Sequence, residues 1–368
     1  MTIGIVGLGA MGLGIAQVFA QAGHDVRATD AVEAARHSAR DRLAASLAPR
    51  VAKGAMTEVE GDAALARLTI VDRVEEVAPA DLVIEAVAEW LEVKRAVFRA
   101  LEPLLPADAV LATNTSSLSV TAIADGLARP GQVLGLHFFN PAPVMKLVEL
   151  VAHAGTTPQA LDRARSLAEG AGKVVIACAD RPGFIVNRCA RPYYGEAVAM
   201  LEVGRPAAEI DAAMVASGYR LGPFALIDLV GADINLAATE SLSAAMGGHP
   251  RYHVFDALRD RVARGDLGRK TGRGFVHPQD PVPPPPDSAE IALRIESALA
   301  NEAGWLLSEG GVTAEGIDLA MRLGLNFPRG PFEALARHGK DRVLAVLSSL
   351  EAAAPPHLKT RYLPAPTL

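Results

Sequence analysis

Nine histidines are spread through the 368 residues, and one stands where proton chemistry is feasible. His137 ends the apolar run Val133-Leu134-Gly135-Leu136 and leads into Phe138-Phe139-Asn140-Pro141. If that run is a strand of a doubly wound sheet, its carboxyl end opens onto the edge where such folds bind ligands. An imidazole exchanges protons near neutrality, so His137 suits acid–base work there, although a strand-end histidine can equally be a satisfied structural residue. Glu149 lies inside another apolar run, Lys146-Leu147-Val148-Glu149-Leu150-Val151. Facing the core it needs a partner, for which an imidazole is suitable; on an edge strand it would face water. Asn114-Thr115-Ser116-Ser117 follows the run Val110 to Thr113 and offers small hydroxyl and amide groups at the same edge, or ordinary turn and capping chemistry. Hydride transfer from an alcohol needs this combination, a base for the hydroxyl proton and donors that hold the developing oxygen charge.

A second constellation concerns a nucleotide. Gly7-Leu8-Gly9-Ala10-Met11-Gly12 follows the apolar run Ile3 to Val6 and opens a helical segment over residues 10 to 22. In that setting Gly7 makes the tight turn, Gly9 lets backbone approach a pyrophosphate, and Gly12 lets helix and strand pack closely. The first-turn amides of Ala10, Met11 and Gly12 then face an anion. Asp30 closes the next strand, Asp25 to Thr29, where a carboxylate accepts hydrogen bonds from the adenine ribose and repels a 2′-phosphate. Ala31 supplies no guanidinium for such a phosphate, so the cofactor expected is NAD rather than NADP.

The elements that must position these groups are legible in the apolar pattern. Strand candidates recur at residues 68–71, 82–86, 110–113, 133–137, 147–151 and 174–177, with helical segments between most of them, which predicts a Rossmann-type doubly wound α/β sheet over 1–181. After Pro182 the chain turns helical, with Gly-Pro breaks and no convincing strand. His277 to Ser288 contains a proline run that reads as an extended spacer. Around it lies a repeat: Glu196…Asp211…Met214…Gly222-Pro223-Phe224 is echoed by Glu302…Asp318…Met321…Gly330-Pro331-Phe332. The expected organisation is a nucleotide domain at 1–181, a helical domain at 182–277, a linker at 278–288 and a second helical repeat at 289–368.

A net charge of −6 lacks the basic footprint of a nucleic-acid or anionic-membrane binder. The uncharged stretch from Gly4 to Gly23 is broken by glycines and has no positive leader, so neither a secretion signal nor a membrane span is expected. Cys178 and Cys189 are too few for a disulfide framework or a cysteine metal cage; a cytoplasmic protein without a metal is the expectation.

Taken together, Gly-x-Gly-x-Met-Gly-x-Gly-Ile-Ala at 7–16, Asn-Thr-Ser-Ser-Leu at 114–118, Leu-His-Phe-Phe-Asn-Pro at 136–141, Met-Lys-Leu-Val-Glu at 145–149 and Arg-Pro-Gly-Phe-Ile-Val-Asn-Arg at 181–188 resemble the L-3-hydroxyacyl-CoA dehydrogenase family. The resemblance runs over roughly residues 1 to 275. It implies NAD-dependent, reversible oxidation of an L-3-hydroxyacyl-CoA to the 3-oxoacyl-CoA, a step of fatty acid β-oxidation, with His137 as base and Glu149 as the acid that orients it. It implies that Ser116, or less readily Ser117, and Asn187 hold the reacting oxygens, with Asn140 beside the substrate. Glu89 and Lys94 would lie on the nicotinamide side, Asn114 would also meet the cofactor, and Ser46 and Lys53 would lie on the CoA head. From the residues alone, Asn187 sits just over one turn into a helix opened by Pro182 and reads as locally bonded; Lys94 reads as a solvated helix face, and Lys53 as a solvated residue of an Arg-rich helix.

Three rival readings accompany this one. The β-hydroxyacid dehydrogenases share Gly-Leu-Gly-x-Met-Gly and Ala22-Gly23-His24, but no lysine lies beside Asn187 to serve as their catalytic group. Relatives acting on free 3-hydroxy acids or carnitine are a second possibility, and a non-catalytic NAD-binding structural protein is the third. Short members of the family resembled here dimerise through one helical domain, so the second repeat implies a monomer with an internal pseudo-dimer; weak homo-oligomerisation is the alternative.

Overall fold

Strands covered on both faces read as near-continuous apolar runs, and the middle of the first unit is built that way apart from a few polar side chains with partners of their own. In the computed structural model, which describes residues 1–368, the chain divides into two compact units, Met1–Arg181 and Pro182–Leu368. The first contains β1 (Thr2–Val6), α1 (Ala10–Gln21), β2 (Asp25–Thr29), α2 (Glu33–Ala52), α3 (Glu58–Ala66), β3 (Leu68–Ile70), β4 (Leu82–Glu85), α4 (Leu91–Leu101), β5 (Val110–Thr113), α5 (Val120–Ala124), β6 (Val133–Phe138), β7 (Leu147–Ala152), α6 (Pro158–Gly170) and β8 (Val174–Ala179). They form one sheet in the order β3-β2-β1-β4-β5-β6-β7-β8. Every residue of β4, β5 and β6 is buried. Ile3, Ile5, Ile84, Ala112 and Leu136 join Phe19 of α1 and Leu43 of α2 in one core.

The sheet departs from the expected parallel pattern at one place, where β7 returns antiparallel to β6. A parallel crossover needs about a dozen residues or more, and the connection over residues 139–146 is too short to supply one. Lys173, at the foot of β8, holds this connection by donating to the carbonyls of Ala142 (2.6 Å) and Met145 (2.9 Å). Burial pulls its ammonium pKa down to about 8.

The second unit is helical: α7 (Val186–Cys189), α8 (Arg191–Glu202), α9 (Ala207–Ala216), α10 (Pro223–Val230), α11 (Ala232–Ala245), α12 (Asp256–Ala263), α13 (Ser288–Ser308), α14 (Ala314–Leu325), α15 (Pro331–His338) and α16 (Lys340–Ala353), with a closing 3₁₀ turn at Pro356–Tyr362. Residues 280–285 carry no regular structure. The echoing segments share one construction. Asp211 on α9 accepts from the amides of Phe224 and Ala225 at the start of α10 (2.8 and 2.7 Å). Asp318 on α14 does the same for Phe332 and Glu333 of α15 (2.8 and 3.0 Å). A side chain at Gly222 or Gly330 would collide with the respective aspartate at 2.4 or 2.3 Å, which explains the glycine before each proline. Burial pushes the Asp211 carboxyl up to about 7 in spite of the two amides.

The segments also exchange charges reciprocally. Glu302 on α13 accepts from Arg188 (2.7 Å), Arg251 (3.0 Å) and the Tyr252 hydroxyl (2.5 Å). Glu196 on α8 accepts from Arg294 (2.9 Å), Arg361 (2.7 Å) and the Tyr362 hydroxyl (3.3 Å). Burial alone would raise the Glu196 carboxyl, but Arg361 and Arg294 hold it below its ordinary value.

Candidate active site

The glycine motif acts by what it leaves out. Gly7 takes φ +102°, and a Cβ there would lie 2.5 Å from the Ala86 carbonyl oxygen; one on Gly12 would lie 1.8 Å from the Gly7 oxygen. Gly9 has open space around its missing Cβ. As N-cap of α1, Gly9 provides no side-chain cap, so the first-turn amides of Ala10, Met11 and Gly12 are presented for an anion. Asp30 follows β2 directly, and its carboxylate accepts from the amides of Leu8 (2.6 Å) and Val32 (2.8 Å), which fixes it beside the loop. Two arginines that the sequence reading did not single out brace the same corner: Arg36 donates to the Asp30 carbonyl (2.7 Å) and Arg42 to that of Leu8 (2.7 Å). Open space at Gly9, a bare helix start and a fixed carboxylate fit a dinucleotide.

The antiparallel return of β7 creates the second feature. Its register sets Glu149 directly opposite His137, and Nδ1 lies 2.7 Å from the carboxylate Oε2. Glu149 is fully buried and His137 nearly so, with the ring of Phe139 at 4.6 Å from the imidazole. A buried carboxylate on Nδ1 fixes the tautomer and stabilises the imidazolium, so proton exchange goes through Nε2. The two residues that the strand pattern left separate, and that the resemblance paired, are in contact.

The Asn114–Ser117 loop leaves β5 beside them. The Asn114 side-chain oxygen accepts from the Phe138 amide, next to His137 (2.8 Å). Glu89 gathers the rest of the loop, its Oε1 accepting from the Thr115 hydroxyl (2.5 Å), the amides of Ser116 (3.0 Å) and Ser117 (3.2 Å), and the Ser117 hydroxyl (3.0 Å). Its Oε2 pairs with Lys94 at 3.1 Å. Burial alone would raise the Glu89 carboxyl, but Lys94 and the loop donors hold it below its ordinary value. Lys94 is no solvated surface residue; its side chain is 1% exposed and pairs also with Glu85 at 2.7 Å. Glu85 was missed in the sequence, although a carboxylate ending the apolar run Leu82-Val83-Ile84 carries the signal that singled out Glu149.

The remaining residues are placed less centrally. Ser46, exposed on α2, donates to Gln17 Oε1 (2.8 Å), and Lys53 is exposed at the end of the same helix. Asn140 is exposed in the β6–β7 connection. Asn187 belongs to the second unit, where residues 182–185 form a turn with Gly183 and Phe184 at φ +74° and +47°. The helix therefore starts at Val186, so Asn187 lies in its first turn rather than beyond one, and its carbonyl accepts from Arg191 (3.0 Å). No helix is long and apolar enough to cross a membrane.

A phosphate-cradling loop and a buried histidine–carboxylate pair on one sheet edge define the class, a dinucleotide-dependent oxidoreductase built on a Rossmann-type sheet. Residues 2–181 match the family model described as the 3-hydroxyacyl-CoA dehydrogenase NAD-binding domain, and the model of that family's C-terminal domain matches twice, at 183–277 and 291–368. The chain belongs to the 3-hydroxyacyl-CoA dehydrogenase family, and its cofactor is NAD. It is 44% identical over 275 residues to 3-hydroxyadipyl-CoA dehydrogenase of Escherichia coli K12, covering 74% of this chain but 58% of that protein. It is 41% identical to 3-hydroxybutyryl-CoA dehydrogenase of Mycobacterium tuberculosis over 74% of this chain and 96% of the relative. A crystal structure of 3-hydroxybutyryl-CoA dehydrogenase from Escherichia coli K12 superposes with a TM-score of 0.93 at 33% identity, covering 100% of this chain and 97% of that one.

Proposed function

We propose that this chain reversibly oxidises the hydroxyl of an L-3-hydroxyacyl-CoA with a short acyl chain of about four to six carbons. The carrying observation is the His137–Glu149 pair, buried at 2.7 Å on a sheet edge that also bears the glycine loop. NAD, when bound, supplies the nicotinamide carbon that takes the hydride. His137 removes the hydroxyl proton through Nε2, and Glu149 stabilises the cation that forms. Ser116 and Asn187 donate to the reacting oxygens, with Asn140 beside the substrate. Gly7, Gly9, Ala10, Met11 and Gly12 hold the pyrophosphate and Asp30 the ribose. Glu89 and Lys94 border the nicotinamide, Asn114 also meets the cofactor, and Ser46 and Lys53 meet the CoA head. Similarity to 3-hydroxybutyryl-CoA and 3-hydroxyadipyl-CoA dehydrogenases favours the short thioester. NADH absorbance followed with acetoacetyl-CoA, free 3-hydroxy acids and L-carnitine tests this. Turnover confined to the thioester is expected, and comparable turnover of a free acid or of carnitine would contradict it.

The reciprocal pairing of Glu196 and Glu302 supports a monomer whose helical repeats imitate a dimer, because an isologous contact has each partner supplying what the other receives. A cytoplasmic location accords with a content of two cysteines, too few for a disulfide framework.

A further inference from the structure

Glu85 touches none of the residues assigned a reacting role, yet it lies behind all of those on the loop. It closes β4, is fully buried, and receives three donors: the Val87 amide (2.7 Å) and Lys94 ammonium (2.7 Å) on Oε1, and the Thr113 hydroxyl (2.8 Å) on Oε2. These donors lead towards the loop by two routes. Through Lys94 the route reaches Glu89 at 3.1 Å, and from there the Thr115, Ser116 and Ser117 donors. Through Thr113, its partner in the β4–β5 register, it reaches the Thr115 amide (3.2 Å) and the backbone leading into Asn114, whose side chain holds the residue after His137. The loop is thus held at both ends by carboxylates that share one buried lysine.

Charge makes the arrangement conditional. An ammonium 1% exposed needs close anions, and Glu89, the other one, has a side chain 39% exposed. With Glu85 neutralised, Lys94 would be drawn towards Glu89, and Glu89 away from the amides it gathers. Displacement of a loop donor by about 1 Å is enough to cost about 100-fold in rate.

We propose that Glu85 is a positioning residue for this reaction: through Lys94 and Thr113 it sets the Asn114–Ser117 loop so that Ser116 meets the reacting oxygen. The inference rests on the functional reading above.

The test is Glu85→Gln, a near-isosteric change, in the wild-type and Ser116→Ala backgrounds, with kcat and KM measured for acetoacetyl-CoA. In the wild-type background kcat falls about 10- to 100-fold while KM for the thioester stays within about threefold. In the Ser116→Ala background the same change costs less than about threefold, because the donor it positions is gone. A folded Glu85→Gln variant with wild-type kcat, or losses that multiply fully with those of Ser116→Ala, would overturn the proposal. If Glu85→Gln does not fold, Glu85→Asp, which keeps the buried charge but draws the carboxylate back from Lys94 and Thr113, takes its place: a lowered kcat with KM for the thioester within about threefold is then expected, and a wild-type kcat overturns the inference. Absence of thioester turnover in the wild type would instead sink the functional reading.

Discussion

The two halves of the helical unit keep one chemistry in common and differ in another. Matching Arg188 with Arg294 and Glu196 with Glu302 sets Leu293 of α13 against Asn187 of α7. The arginines and glutamates recur because each glutamate is satisfied by the other copy's arginines and tyrosine. Losing one member strands a buried charge, at a cost of about 3–5 kcal/mol. Leu293, buried and apolar, stands where the first copy has the amide. Duplication has therefore preserved the surface that holds the copies together and kept the polar amide only in the copy that follows the nucleotide unit.

That comparison can be broken most severely at Asn187. Asn187→Leu, which gives the first repeat the residue of the second, should lower kcat/KM by about 10²- to 10³-fold, the usual cost of one donor to a developing oxyanion. The reverse change, Leu293→Asn, should leave kcat within about twofold and cost about 1–3 kcal/mol of stability by burying an amide. Equal kinetic effects at the two positions would remove the asymmetry. The smallest expected effect is none: light scattering should give the mass of one chain, unchanged over a hundredfold range of concentration. A stable two-chain species would show that the repeats do not satisfy each other within one molecule.

Much of this architecture could be read from the residues. Strand positions followed from apolar runs, because strands buried on both faces tolerate little else. The direction of β7 did not, since an apolar run is the same forwards and backwards and only the short 139–146 connection decides it. The His137–Glu149 pair depends on that reversal, so spacing alone showed two candidates but not their contact. From the residues alone Lys94 reads as a solvated helix position, because a helical amphipathic pattern does not reveal the two carboxylates it pairs with. The Arg251-Tyr252 and Arg361-Tyr362 echoes are not legible in the sequence because they sit in short 3₁₀ turns, outside the α-helical period that exposed the repeat.

In the proposed reaction His137, held by Glu149, takes the hydroxyl proton as hydride passes to NAD. His137→Gln, assayed by NADH absorbance with acetoacetyl-CoA and by fluorescence titration with NADH, tests it most directly. A loss of at least about 10³-fold in kcat is expected, within the range of about 10²- to 10⁴-fold for a positioned acid–base group, with NADH affinity within about threefold of wild type. Retention of more than about a tenth of the wild-type kcat with NADH still bound would contradict it.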